Sequence, residues 1–276
     1  MTFLNALSAE FAKLFTTRLW WVLALTLFLY VGAMAGGLGA LFGWAASNVD
    51  AGASAGVSPL PDGLNLHAVI YSMATTIGYV FPVLLGAFAV TGEFRHQTLT
   101  PTFLATPRRG IVLSAKVLAM LIVGAGLGVV AWVATVGLGA AALGAFDLET
   151  GLGAEDSWTM IARGVLAMAL WAAVGVGLGT LVPSQVAALI IVIAFTQFVE
   201  PTLRLAASFN DVTASIARFL PGAASDALVG ASFYSIAMPG GGADALLWWQ
   251  GGIILLAIAI AATVGGYFTS WRRDVT

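Results

Sequence analysis

The sequence predicts an all-α membrane protein: six transmembrane helices, an N-terminal amphipathic helix on the membrane surface, and outer re-entrant helices between spans five and six. Three observations carry this. Of 276 residues, 60% are hydrophobic and only 9% charged, against about 25% charged in a soluble domain. The 11 Lys and Arg with 13 Asp and Glu are too few to coat a chain of this size in water. Apolar runs also recur at the length of about 20 residues that crosses a hydrocarbon core about 30 Å thick.

At the N-terminus, Phe3, Leu4, Leu7, Phe11, Leu14 and Phe15 recur at three- and four-residue intervals, and Asn5, Ser8, Glu10 and Lys13 take the other face. Residues 1–18 therefore read as a helix lying along the membrane. It serves as a topogenic anchor or also touches a cytoplasmic partner, and the pattern does not separate the two. Span one runs from Leu19 to Trp44. Ala33, Met34 and Ala35 resemble a signal-peptide cleavage site, but the apolar run continues beyond them, longer than a signal core.

A loop rich in Gly, Ala, Ser and Pro, Ala45 to Leu66, leads to span two at Val69 to Val90. Span three is Val117 to Ala145 and span four Met160 to Val182. Pro183, Ser184 and Gln185 make a short turn, so span five, Val186 to Val199 with a polar continuation to Leu205, forms an antiparallel hairpin with span four. Residues 201–244 are too apolar for a solvated loop. They hold two short helical patterns, Pro201 to Phe209 and Pro221 to Phe233, expected to dip back into the outer leaflet. Span six is Ala245 to Phe268.

Orientation follows from the basic residues. With the N-terminus inside, Lys13, Arg18, Arg95, Arg108, Arg109, Lys116, Arg272 and Arg273 are cytoplasmic, whereas Arg163, Arg204 and Arg218 lie at or beyond the outer boundary. Both termini are then cytoplasmic. The acidic residues Asp50, Asp62, Asp147, Glu149, Glu155, Asp156, Glu200, Asp211, Asp226 and Asp244 fall outside, though acids weigh little in this rule.

Several chemistries are disfavoured. There is no cysteine, so disulfides and thiolate sites are excluded. His67 and His96 are the only histidines and have no ligand spacing around them, which argues against a histidine metal site. No basic block could track a nucleic acid backbone, so no nucleic acid partner is expected. The only lysines, Lys13 and Lys116, both follow alanine, so no phosphate-cradling G-x-x-x-x-G-K-[ST] loop exists and the chain carries no ATPase of its own. Mid-membrane positions are almost wholly Ala, Val, Leu, Ile and Gly, a poor setting for catalysis.

The loop after span two is more specific. It runs Thr91-Gly92-Glu93-Phe94-Arg95-His96-Gln97-Thr98-Leu99-Thr100-Pro101-Thr102-Phe103-Leu104-Ala105-Thr106-Pro107-Arg108-Arg109, with Lys116 beyond. Thr100 is expected to cap a short helix that opens on Pro101 and stops at Pro107. Phe103 and Leu104 on this stub must bury against the bundle or another protein. Arg95, Arg108 and Arg109 suit lipid phosphates or acidic side chains.

Here the chain resembles the permease subunits of ABC-2 type exporters over essentially its whole length. The resemblance rests on the N-terminal helix with Glu10 and Lys13, the six spans, the Gly92-Glu93 to Arg109 loop, Lys116, Leu220-Pro221-Gly222, and the terminal Arg272-Arg273-Asp274-Val275. It departs at Gln97, where the family usually has Gly and where a different turn is expected, and at Phe94, where Tyr is commoner.

The resemblance implies one permease domain over 1–276, with a cytoplasmic coupling loop at 91–110 that seats in an ATPase. Its coupling residues would be Glu93, Phe94, Arg95, His96, Thr98, Leu99, Pro101, Phe103, Leu104, Pro107, Arg108 and Arg109. It further implies a bacterial cell membrane location, a separate ATPase subunit holding ATP and Mg, a second permease subunit (a homodimer by default), and movement of spans one, two and five. The cargo class would be hydrophobic or amphiphilic: a drug, a lipid-linked molecule or a peptide.

Other candidates have plainer readings. Glu200 and Arg204, one turn apart, form an ion pair or a gate. Glu93 is expected to pair with a basic residue of the partner or of the N-terminal helix, and Arg163 to snorkel. The pairs Gly32/Gly36, Gly124/Gly128 and Gly175/Gly179 allow close helix approach. Tyr71, Ser72, Thr75 and Thr76 either line a path or satisfy their own helix. An ion-coupled carrier or a non-transporting scaffold remain the alternatives. The carrier is weakened by a lack of midplane carboxylates and related halves, and the scaffold leaves the loop without a reason.

Overall fold

A computed structural model describes residues 2–48, 52, 54, 65–207, 211–234 and 246–271. These form helices and turns, with no strand among the described residues. Six helices are long and apolar enough to cross a membrane: Leu19–Ser47, Leu66–Arg95, Arg109–Gly144, Glu155–Leu181, Gln185–Ala207 and Trp248–Trp271, here spans one to six. The N-terminal helix, Phe3–Phe15, packs beside span three at what is called here the near end of the bundle. Arg272, Arg273, Asp274 and Val275 lie outside the described residues, as do Asp50, Asp62, Asp244 and Phe209.

Spans two and four are the most enclosed, and spans one, five and six expose broad apolar faces. Glycine decides how closely the central pair can meet. A Cβ on Gly86 would overlap the Ala172 carbonyl oxygen, and one on Gly175 would overlap that of Val83, so the two backbones touch from both sides. Gly124 and Gly128 likewise admit Met168 and Ala172 of span four against span three, and Gly32 and Gly36 admit Leu138 against span one. All three sequence-marked glycine pairs thus pack within the chain.

Two spans are interrupted. Span two is built from helices Leu66–Thr76 and Val80–Arg95, with a break at Ile77 to Tyr79. Pro82 has no N–H for the Gly78 carbonyl, which instead accepts from Phe81 N at 3.1 Å. In span five, Phe195–Val199 widens into a π-helical turn, with Glu200 N donating to the Phe195 carbonyl, just before Pro201.

Three expectations need correction. The stub helix spans Leu99–Ala105 and is entered from Thr98, so Thr100 and Pro101 sit inside it rather than capping and opening it. The pattern starting at Pro201 continues span five to Ala207 instead of forming a separate re-entrant piece, because the wide turn absorbs the proline. The second outer pattern is shorter than expected. The helix Pro221–Val229 ends at Gly230, whose φ of 89° is the left-handed conformation that glycine adopts freely. A further short helix, Asp211–Ala217, was not anticipated.

Candidate functional site

The loop after span two becomes a braced projection. Span two ends in a Schellman closure: Thr98 N donates to the Glu93 carbonyl at 3.0 Å, and Gln97 N to that of Phe94 at 3.4 Å. That closure needs a left-handed residue, and Gln97 supplies it with φ 54°. The departure from glycine therefore leaves a glycine-type turn in place.

The stub helix turns one side to the bundle and the other to solvent. Leu99 is buried, and the Phe103 ring meets Trp271 edge-on at 5.5 Å, while the Arg109 guanidinium lies over the same Phe103 ring, 4.8 Å from its centroid. Phe94 packs edge-on against the same indole at 6.1 Å. Trp271 is held by its own bond, Nε1 donating to the Arg109 carbonyl at 3.1 Å, and Arg109 Nη1 returns one to the Trp271 carbonyl at 3.2 Å. Leu104, next in sequence to Phe103, is 79% exposed. Pro101, Pro107 and Arg108 are exposed too, the last two beside an open groove that also meets Gly110 and Tyr267. Arg95 Nη1 donates to Gln185 Oε1 at 3.0 Å, and His96 is exposed at the helix end.

Behind the stub lies a cluster of four charges from three elements. Lys116 Nζ, on span three and 1% exposed, donates to Glu10 of the N-terminal helix, to Glu93 of span two at 3.1 Å, and to the Ala89 carbonyl at 3.1 Å. Lys13 Nζ completes the square, 2.7 Å from both Glu10 and Glu93. Two ammonium groups balance two carboxylates, so the burial that would oppose each charge is compensated. Burial alone would lower the Lys13 pKa, but Glu93 and Glu10 outweigh it and raise the value above the usual lysine range. Glu93 thus pairs with the N-terminal helix, as one of its two expected routes.

A second cluster sits toward the far end, where both interrupted spans meet a short helix. Arg204 bridges Glu200 at 3.0 Å and Asp226 of the helix Pro221–Val229 at 2.6 Å, and its guanidinium stacks 4.5 Å over Tyr234. Glu200 Oε1 also accepts from Ala223 N at 3.2 Å, near the positive end of that helix. Ser232 Oγ donates to Asp226 at 2.6 Å. The Glu200–Arg204 pair was legible from spacing. Asp226 as its third member was missed, and its signal was a lone acid inside a largely apolar Pro-Gly-led helix.

Elsewhere, Arg163 stacks over Trp248 at 4.6 Å. Tyr71, Ser72 and Thr75 are fully enclosed within this chain. The Tyr71 hydroxyl donates to the Thr150 carbonyl at 2.6 Å, and Ser72 and Thr75 donate to carbonyls of their own helix. Among the described residues, no group of three or more His, Cys, Asp or Glu could hold a metal ion.

No family model matches the chain, and no curated protein matches it.

Proposed function

We propose that the chain is the membrane-spanning permease subunit of an ATP-binding-cassette exporter of the ABC-2 type, working as a pair with a second permease and driven by separate ATPase subunits. The observation that carries this reading is the braced stub: a seven-residue helix that holds Leu104 out in solvent at 79% exposure while Leu99 and Phe103 are seated on the bundle. An apolar side chain fixed in that way, on a loop that also exposes Arg95 and Arg108, fits a partner cleft with an apolar floor and acidic rim.

The bracing also suits transmission of movement. A push on the stub reaches span six through Phe103 and Trp271, and reaches span three and the N-terminal helix through Glu93 and Lys116. Span two is locked to span four by Gly86 and Gly175, so these two move as one body. Span five touches its neighbours least and exposes most of its surface, which leaves it the freest to shift or to meet a second copy. Apolar faces on spans one, five and six suit a hydrophobic or amphiphilic cargo entering from lipid.

The test is coexpression of the chain with a cognate ATPase, followed by purification in detergent and ATP turnover in vesicles. Leu104→Asp should abolish copurification and cargo-stimulated turnover while membrane insertion is unchanged. Full ATPase capture and turnover by that variant would end the proposal.

A further inference from the structure

The far-end cluster holds more carboxyl groups than cations. Glu200 and Asp226 are two acids against the single guanidinium of Arg204, a formal sum of −1 for the ionisable residues of opposite sign that line this cavity. The cavity is small, with room for a single water-sized species, and its remaining walls are Thr75, Thr76, Tyr79, Gly222, Ser225 and Tyr234.

Two of its oxygens have no partner. Glu200 is 2% exposed, yet its Oε2 accepts nothing, although Oε1 takes Arg204 and Ala223 N. Thr76 Oγ1, at the edge of the break in span two, is also buried without a hydrogen bond. A buried carboxyl oxygen left without a partner is costly, so something should meet it.

The neighbouring hydroxyls are turned the right way for a cation. Thr75 Oγ1 donates to the Ser72 carbonyl at 3.1 Å, and the Tyr79 hydroxyl faces the Thr196 carbonyl at 3.5 Å, in the π-helical turn. With their protons committed to those carbonyls, both hydroxyls of this lining keep lone pairs available to a cation. Interrupted membrane helices commonly place such oxygens around ions, because irregular backbone at that depth is tolerated where it lines a cavity. Here the break in span two and the wide turn of span five meet at one place.

We propose that this cavity, between Glu200 Oε2, Thr76, Thr75 and Tyr79, binds one monovalent alkali cation. A single positive charge neutralises the cluster, whereas a divalent ion would overshoot, and two carboxylates already shared with a guanidinium are a poor transition-metal set. The bound ion would tie span two, span five and the helix Pro221–Val229 together. This inference stands apart from the ATPase reading, since ion binding needs neither Leu104 nor a partner.

The experiment is thermal unfolding of the purified full chain in detergent, at fixed pH and ionic strength, with choline chloride exchanged for sodium or potassium chloride. At about ten times the dissociation constant the Tm should rise by about 2–4 °C and saturate. Thr76→Val, which keeps the shape and removes only the hydroxyl, should move the midpoint salt concentration up by roughly tenfold. Glu200→Gln should abolish the rise. An identical Tm in choline, sodium and potassium overturns the proposal. So does an unaltered rise in Thr76→Val, which would place the ion elsewhere. A stabilisation that follows pH and ignores the salt would make Glu200 a proton site instead, and would equally overturn it.

Discussion

Phe103 meets Trp271 edge to face, with ring centroids 5.5 Å apart and planes at 83°. This contact ties the stub helix to the last turn of span six, and it separates Phe103 from its neighbour Leu104 in role. Phe103 belongs to the packing of the chain, and Leu104 does not.

The two residues therefore make a diagnostic pair. Leu104→Asp should leave unfolding in detergent within about 0.5 kcal/mol of the parent, as for other exposed positions. Phe103→Ala should lose about 2–3 kcal/mol, less than a fully buried phenylalanine, because the ring is only half-buried. If both variants unfold alike, the division between a seated and a free side chain is wrong.

Lys116→Met should be among the most damaging single changes, since it leaves Glu10 and Glu93 buried with only Lys13 between them. A loss of about 3–5 kcal/mol is expected. Removing one acid at the same time, in Lys116→Met with Glu10→Gln, should restore part of it. A double-mutant cycle on the purified chain measures the coupling, and additive losses would argue against a shared network.

The same cluster sets an alkaline limit. Lys13 is raised by Glu93 and Glu10, so its contribution is fully present below the ordinary lysine value of 10.5 and is lost as pH climbs through its higher folded value. Unfolding curves should show no loss from this group between pH 7 and 10 and a decline above. In Lys13→Met the alkaline decline should be shallower.

Gln97 holds a left-handed conformation at the end of span two, φ 54°, which costs a residue with a Cβ about 1–2 kcal/mol. Part of this is offset because glycine loses more freedom on folding. Gln97→Gly should stabilise by about 0.5–1 kcal/mol, and Gln97→Val should destabilise, since a β-branched residue fits that region worst. Differential thermal unfolding of the two variants checks the sign of each.

Gly86→Ala should weaken the central helix pair, because the added methyl meets the Ala172 carbonyl, which belongs to backbone and cannot swing aside. A loss of about 1–3 kcal/mol is expected. Gly92→Ala, where the same methyl would meet nothing, is the matched control on the same span.

Much of the architecture was open to inspection in the residue order. The six apolar runs, the glycine pairs and the Glu200–Arg204 spacing are local features, and each reappears in the structure, with span boundaries moved by at most the eight residues by which span three starts earlier, at Arg109 instead of Val117. The ends were less legible. Thr100-Pro101 looked like a helix start, but the chain had already turned helical at Leu99 once Gln97 closed span two. Pro201 looked like the start of a new segment, but a wide turn ahead of it let span five continue.

By itself, then, the order of residues determined that this chain makes six helices long and apolar enough to cross a membrane, and where a short helix would be set off by turns, because these follow from composition and near-neighbour periodicity. Only the folded bundle decided that Lys116 meets Glu10 and Glu93, that Asp226 joins Arg204, and that Phe103 seats while Leu104 stands free. Those pairings depend on which helix faces are pressed together across the chain, and periodicity along one helix holds no record of its neighbours.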